Sequence, residues 1–254
     1  MRALWAIAAN SYHEARHSRV LYIATLFAAV LILFSLFLGE VSLFQNEKVI
    51  KDIGLAAISL LGVFVAVYLG VNSLYQEMEK RTIYTIMAKP VTRSEILLGK
   101  YLGMLFVISS VVVMMSIYLY LVTAFVEASV DWELLPAIFL ILVELWIVAA
   151  VAVFFSSFAS PFLSGFFTFG VFLIGRWSRE LADFGERSKN ALFKFFATGV
   201  QKVFDLEAFD LRSIVVHKLP VYAEDVWLPL AYALTLILLL LILSHAFFMK
   251  RDFK

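Results

Sequence analysis

The chain has 254 residues, of which 63% are hydrophobic and only 16% are charged, and its mean hydropathy is +0.91. This composition excludes a water-soluble domain of the same length. The formal net charge of +1 points to no nucleic-acid partner, and the lack of cysteine excludes disulfides and thiolate metal sites. We therefore expect an all-α membrane protein.

Residues 1-19 form a polar lead-in to the first long apolar run. They do not resemble a cleaved signal, because the polar stretch NSYHEARHSR interrupts any apolar core. Helical spacing predicts an interfacial helix whose basic residues Arg16 and Arg19 reach anionic head groups. A solvated lead-in without a membrane contact is the alternative. Four apolar residues are expected to face lipid: Leu4, Ile7, Ala8 and Tyr12.

The lead-in also contains His13-Glu14-x-x-His17, which matches the H-E-x-x-H pattern of zinc metalloproteases. Two imidazoles on one helical face would hold zinc, and the glutamate would act as general base. However, Arg16 lies inside the motif, and the other histidines, His217 and His245, are far along the chain. We expect no metal site and keep a membrane-embedded zinc metalloprotease as an alternative function.

Six apolar stretches are long enough to be considered as membrane spans, since a bilayer core of about 30 Å needs roughly 20 apolar residues in a helix. The weakest is the fifth, which is short and begins beside Pro161. We expect six transmembrane helices in a single domain, 1-254. The stretches are 20-38, 53-75, 101-126, 134-157, 159-175 and 227-249.

The basic residues predict the orientation, because short basic loops stay on the cytoplasmic side. The opposite loops, 39-52 and 127-133, are more acidic than basic. An even number of spans then places both termini in the cytoplasm. The basic clusters precede the first span, separate the second from the third, and follow the sixth: Arg2, Arg16, Arg19; Lys80, Arg81, Lys89, Arg93, Lys100; Lys250, Arg251, Lys254.

The segment 76-100, QEMEKRTIYTIMAKPVTRSEILLGK, concentrates charge between two apolar runs. Pro90 interrupts the helical pattern, and Thr92 with Glu95 has capping-box spacing before the next apolar run. The pattern predicts a helix, a turn and a capped helix that enters the third span; an ordinary solvated loop is the alternative. Two glycines one turn apart permit close approach of a neighbouring helix: Gly99 and Gly103.

Glu144 lies in the middle of the stretch 134-157. A carboxylate in hydrocarbon costs several kcal/mol unless it is protonated or paired. We expect Glu144 to face a helix contact or a cavity. Two interpretations stay open: a structural hydrogen bond to a neighbouring span or subunit, and a role in transport.

The connection 177-225 is long, and its seven basic residues are balanced by eight acidic ones. Within it, NALFKFFATGVQKVF predicts an amphipathic helix on the outer leaflet, and a second apolar stretch, Ser213 to Val216, follows. This extracytoplasmic segment is expected to cap the exit of a transport path or to receive an external partner, unless it only packs against the bundle. The apolar face of the amphipathic helix comprises Leu192, Phe196, Val200 and Val203.

The order of these features resembles the membrane subunits of ABC-2-type transporters. The N-terminal helix, the six spans and a serine-rich turn between spans four and five are also similar to that family. The plan is similar to permeases linked to multicopper-enzyme maturation, although 177-225 is longer than in many such permeases. The residues in 76-100 that carry the resemblance are Glu77, Glu79, Arg81, Thr82, Lys89, Pro90, Val91, Arg93, Glu95, Ile96, Leu97, Gly99 and Lys100.

The resemblance implies the permease subunit of an ATP-driven exporter in a bacterial or archaeal plasma membrane, with membrane lipids around it. A separate ATPase would dock under 76-100, and a second permease subunit, identical or different, would complete the path. The chain lacks G-x-x-x-x-G-K-[ST], so we expect no enzyme activity and no cofactor of its own, with ATP bound by the partner. A non-transporting membrane scaffold is the remaining alternative. The implied coupling residues are Glu77, Glu79, Lys80, Arg81, Thr82, Lys89, Pro90, Arg93 and Glu95.

Overall fold

The computed structural model describes residues 2-16, 18-41, 46-79, 93-127, 131-188 and 190-250. Within these ranges every regular element is a helix, which confirms the all-α prediction. The elements in chain order are α1 Arg2–Arg16, α2 Arg19–Val41, α3 Asn46–Glu79, α4 Arg93–Glu127, α5 Leu134–Ser156, α6 Pro161–Arg176, α7 Ser178–Arg187, α8 Ala191–Val203, a 3₁₀ turn Glu207–Phe209, α9 Arg212–Val216 and α10 Glu224–Lys250.

Five of the described helices are long and apolar enough to cross a membrane: α2, α3, α4, α5 and α10. They correspond to five of the six predicted stretches. The remaining stretch, 159-175, forms α6, an apolar helix of 16 residues. At a rise of 1.5 Å per residue α6 is about 24 Å long, which is shorter than a bilayer core of about 30 Å.

Helices α3 and α5 lie at the centre of the bundle and pack closely along their length. A Cβ atom at Gly62 would lie 2.4 Å from Leu145 Cδ1, and one at Gly70 would lie 2.3 Å from Ala152 Cβ. Small residues therefore let the two backbones approach, as is common between membrane helices. Ser156 Oγ adds a hydrogen bond of 3.3 Å to the carbonyl oxygen of Gly70.

Helix α1 packs against the first turns of α4. A Cβ atom at Gly99 would lie 2.9 Å from Ile7 Cγ2, and one at Gly103 would lie 2.6 Å from Ser11 Cβ and 2.8 Å from the Ala8 carbonyl oxygen. The predicted close approach at these glycines is confirmed, and the neighbouring helix is α1. Because the contacts advance together along both chains, the two helices run in the same direction.

This contact corrects the expectation that the apolar face of α1 points to lipid. Ala8 is only 1% exposed and Ile7 is half-buried against α4. The reason is that Gly99 and Gly103 leave a groove into which the apolar face of α1 fits. On α1 the large exposed apolar side chain is Trp5, whose ring lies 6.3 Å from that of Phe106.

The segment between α6 and α10 folds into short helices, as predicted. Helix α8 is capped by Asn190, whose side chain accepts a hydrogen bond of 3.0 Å from the Leu192 amide, and it packs against α7 where Gly185 meets Ala197. Its large apolar side chains, including Leu192 and Phe195, stay exposed. The helix is confirmed, and its position on the outer leaflet stays a prediction.

Candidate functional site

Glu144 is fully buried in the middle of α5 and is paired with Arg176, the last residue of α6. Arg176 Nη1 donates a hydrogen bond of 3.1 Å to Glu144 Oε1. Counted from the α5–α6 turn, Arg176 lies about 22 Å along α6 and Glu144 about 18 Å along α5. The short length of α6 therefore brings its terminal cation near the level of the buried carboxylate. Glu144 therefore faces a helix contact, as expected, and its role in transport stays a prediction.

The network continues from Arg176 into the segment between α6 and α10. Arg176 Nη2 donates a hydrogen bond of 2.5 Å to Asp210 Oδ2. Arg212 binds the same carboxylate through Nε at 2.9 Å and Nη2 at 2.8 Å. Two acids and two arginines thus alternate from the middle of α5 to the start of α9, so that each buried charge has an opposite charge beside it.

The outer half of this network is ionised at neutral pH. Burial alone would raise the pKa of Asp210, but the hydrogen bonds from Arg212 and the nearby charge of Arg176 outweigh it, so the pKa of Asp210 is lowered. The hydrogen bond to Asp210 raises the pKa of Arg212 in turn. Among the described residues, the second carboxylate oxygen of Glu144, Oε2, has no hydrogen-bond partner.

An open cleft of about 530 Å³ borders the outer end of the network. It lies between the start of α3 and the short helix α9. The walls are mixed in charge, so the buried network meets solvent at a charged surface. The polar residues that line the cleft are Lys48, Asp52, Asp210, Arg212, Ser213 and His217.

A second buried ion pair joins the same end of the bundle. Lys51 on α3 is 1% exposed, and its Nζ lies 2.6 Å from Asp131 Oδ2 just before α5. Burial tends to raise the pKa of Asp131, but the hydrogen bond and charge of Lys51 lower it overall, helped by the Glu133 amide. The pair fixes the start of α3 against the start of α5.

Nearly the whole chain, residues 5–253, matches a family model described as ABC-2 family transporter protein. The chain belongs to the ABC-2 transporter family. It is a multi-pass membrane permease of an ABC transporter, and the family is a transport component that typically works with an ATPase subunit. No curated protein matches this permease. The resemblance is confirmed for the family, and the narrower link to multicopper-enzyme maturation stays a prediction.

The expected coupling residues of the permease lie at two helix ends and in the segment between them. Glu77 and Glu79 belong to the last turns of α3, Arg93 opens α4, and Glu95 is half-buried in its first turn. Helix α4 therefore begins where the sequence predicts a helix after Pro90. The remaining coupling residues lie outside the described residues: Lys80, Arg81, Thr82, Lys89 and Pro90. Their coupling role stays a prediction.

The zinc-site hypothesis gains no support from the permease structure. His13 and Glu14 are exposed on α1, and His17 lies outside the described residues. In the part of the chain that the structure describes, no group of three or more His, Cys, Asp or Glu residues could hold a metal ion. The family match places the function in transport instead.

Sequence reasoning singled out Glu144 but missed its partners. Two signals could have revealed them. Arg176 follows directly after a stretch too short to span, and the balanced charges of 177-225 are typical of internal ion pairing. The partners that only the structure brings together are Arg176, Asp210 and Arg212, and the separate pair Lys51 with Asp131.

Proposed function

We propose that this permease forms the translocation path of an ATP-driven exporter and is moved by a separate ATPase that docks at 76-100. The lengths of the flanking helices support this. Helix α3 has 34 residues and α4 has 35, so each is about 50 Å long, well beyond a bilayer core of about 30 Å. The apolar part of α3 ends at Asn72, and the helix continues to Glu79. Both helices therefore lead toward 76-100.

The packing of α1 on α4 is the observation that carries the proposal. The contact at Gly103 is made with backbone and Cβ atoms of α1, which have little freedom to adjust. A displacement of the segment before α4 would consequently move α1 as well, and through the short link at Ser18 it would reach α2. A docked ATPase could in this way act on several spans through one contact.

The outward faces of α2 and α10 are available for contact with lipid or with a second permease subunit. Each is largely exposed, with apolar side chains such as Phe27, Phe34 and Leu238 pointing away from the bundle. These surfaces suit lipid or a second permease subunit, homologous or identical. In this assembly both termini and the segment 76-100 lie in the cytoplasm of a bacterial or archaeal cell.

Affinity purification from the native membrane tests the proposal. Tagged wild-type chain should retain a P-loop ATPase, and Glu79→Gln/Arg81→Gln should lose it while it still inserts in the membrane. Glu47→Gln/Lys218→Gln is the matched control, because it removes one negative and one positive charge from an exposed ion pair near the open cleft between α3 and α9. Absence of an ATPase from the wild-type sample, or its retention by the Glu79/Arg81 variant, would contradict the proposed docking.

A further inference from the structure

The charged cleft is the open cleft between the start of α3 and α9. It contains a lysine and an aspartate that form no salt bridge with each other. Lys48 and Asp52 lie one turn apart on α3 and both line the cleft. Neither forms an ion pair with another residue in the described ranges. Their neighbours Lys51, Glu47 and Lys218 are paired. The two cleft residues therefore remain available to a ligand that carries both charges.

Arg212 supplies a second group for the anionic part of such a ligand. It uses Nε and Nη2 to bind Asp210, and a guanidinium has further N–H donors on Nη1. Planar donors of this kind bind phosphate well. The cleft thus offers Lys48 and Arg212 to a phosphate, and Asp52 to an ammonium group.

The cleft lies at the level where lipid head groups are expected. Lys51 ties the start of α3 to Asp131 before α5, so these helices begin at the same end of the bundle. Exposed aromatic residues cluster beside the starts of α5 and α10, as is typical of a membrane interface: Trp132, Tyr222 and Trp227.

We propose that this cleft binds a phosphoethanolamine group, with Lys48 and Arg212 on the phosphate and Asp52 on the primary ammonium. Its volume of about 530 Å³ lies within the range of small-molecule sites. The group has two sources, the head group of a phospholipid and a soluble phosphoethanolamine. Because Arg212 shares Asp210 with Arg176, the ligand would bind next to the network that reaches Glu144.

Binding to the purified full chain in detergent tests the inference. The probes are dihexanoylphosphatidylethanolamine, free phosphoethanolamine and dihexanoylphosphatidylglycerol, measured by calorimetry. Lys48→Gln/Asp52→Asn should weaken binding of the ethanolamine lipid several-fold, since each ion pair at a partly exposed position contributes up to about fivefold. The matched control Glu47→Gln/Lys218→Gln should bind like the wild type.

Single changes separate the two halves of the site. Asp52 is exposed, so Asp52→Asn should fold normally, weaken the ethanolamine lipid and leave the glycerol lipid unchanged. Binding of free phosphoethanolamine alone, with the same dependence on Asp52, would support the site and identify a soluble source.

Two results would overturn the inference: equal affinity of the cleft variant and the control for the ethanolamine lipid, or equal wild-type affinity for the glycerol lipid. The assay needs no ATPase, so failure of ATPase capture would bear on the permease proposal alone.

Discussion

The two ends of the helix bundle are held together by different interactions. Where α4 begins, α1 packs on it at Gly99 and Gly103, and the contact is made by backbone atoms of α1 and by the side chains of Ile7 and Ser11. From the middle of α5 to the opposite end, buried ion pairs join elements that are distant in sequence, such as Arg176 with Glu144 and Lys51 with Asp131. One end depends on shape and the other on charge.

In an ABC-2 permease, a close-packed helix contact and a buried ion pair respond differently when a neighbouring helix moves. A contact between close-packed helices transmits displacement, because its atoms have no space to absorb it. Buried ion pairs instead fix one arrangement until a charge is removed or a competing ligand arrives. We therefore expect volume changes to impair the α1–α4 contact and charge changes to impair the opposite end.

Removal of Arg176 should have the largest effect. Arg176→Met leaves Glu144 without its cation while its side chain is fully buried, and loss of one partner of a buried pair costs about 3–5 kcal/mol. We expect a strong fall in the yield of folded protein and in its denaturation temperature in detergent. Arg179→Met is the control, because that side chain is 48% exposed and its pair with Asp205 is surface-like.

The double variant Glu144→Leu/Arg176→Met sharpens this result. Asp210 keeps Arg212 as its partner, so removal of both buried charges should restore most of the stability lost in the single variant. If the double variant is as unstable as Arg176→Met, the buried charge of Glu144 is not the cause of the instability.

Asp131→Asn should have the next largest effect, and its size should depend on pH. The variant removes the carboxylate that lies 2.6 Å from the buried Lys51 Nζ, and a hydrogen bond to a charged group contributes about 1.5–3 kcal/mol. The pKa of Asp131 is lowered in the folded state. Its contribution is therefore complete above the unfolded pKa of about 3.9 and is lost as the pH falls through the folded value.

Denaturation temperatures measured from pH 7 to pH 3 check this prediction. The advantage of the wild type over Asp131→Asn should be constant near neutral pH and should shrink in acid. A difference that is independent of pH down to pH 3 would mean that the ionised carboxylate of Asp131 contributes nothing.

Gly103→Ala tests the end that depends on shape. The added methyl would meet Ser11 Cβ at 2.6 Å and the Ala8 carbonyl oxygen at 2.8 Å, so α1 must shift, at a cost of about 1–3 kcal/mol. The loss should be equal at pH 7 and pH 4, and ATPase activity of the purified complex should fall with it. Gly170→Ala is the control, since nothing lies within 4 Å of its added methyl. An unshifted denaturation temperature for Gly103→Ala would remove the basis of the α1–α4 coupling.

Most of the fold could be predicted from sequence because a bilayer restricts what an apolar chain can form. The stretches 20-38, 53-75, 101-126 and 134-157 each form a helix that is long and apolar enough to cross a membrane, since length and hydropathy decide that outcome. The partner of an amphipathic face is not encoded in its periodicity. From periodicity alone, Ala8 could face either lipid or protein. Only the structure shows that this face of α1 packs into the groove at Gly103.

The ion network could be predicted only in part. A buried Glu144 requires a partner by elementary electrostatics, but the choice among the many arginines depends on where α6 ends. Arg176 reaches Glu144 because α6 stops after 16 residues, and Asp210 reaches Arg176 through a turn whose geometry has no periodic signal in the sequence.

The smallest effect is expected for Lys218→Gln, which removes a charge at the same end as Asp131→Asn but at an exposed position. Lys218 Nζ lies 3.5 Å from Glu47 Oε2, and the two side chains are 57% and 50% exposed. Solvent and salt screen such a pair, so the loss should stay below about 1 kcal/mol and vanish in high salt. Denaturation of the variant at low and high ionic strength measures it. A loss as large as that of Asp131→Asn would show that net charge, and not the burial of individual pairs, holds this end together.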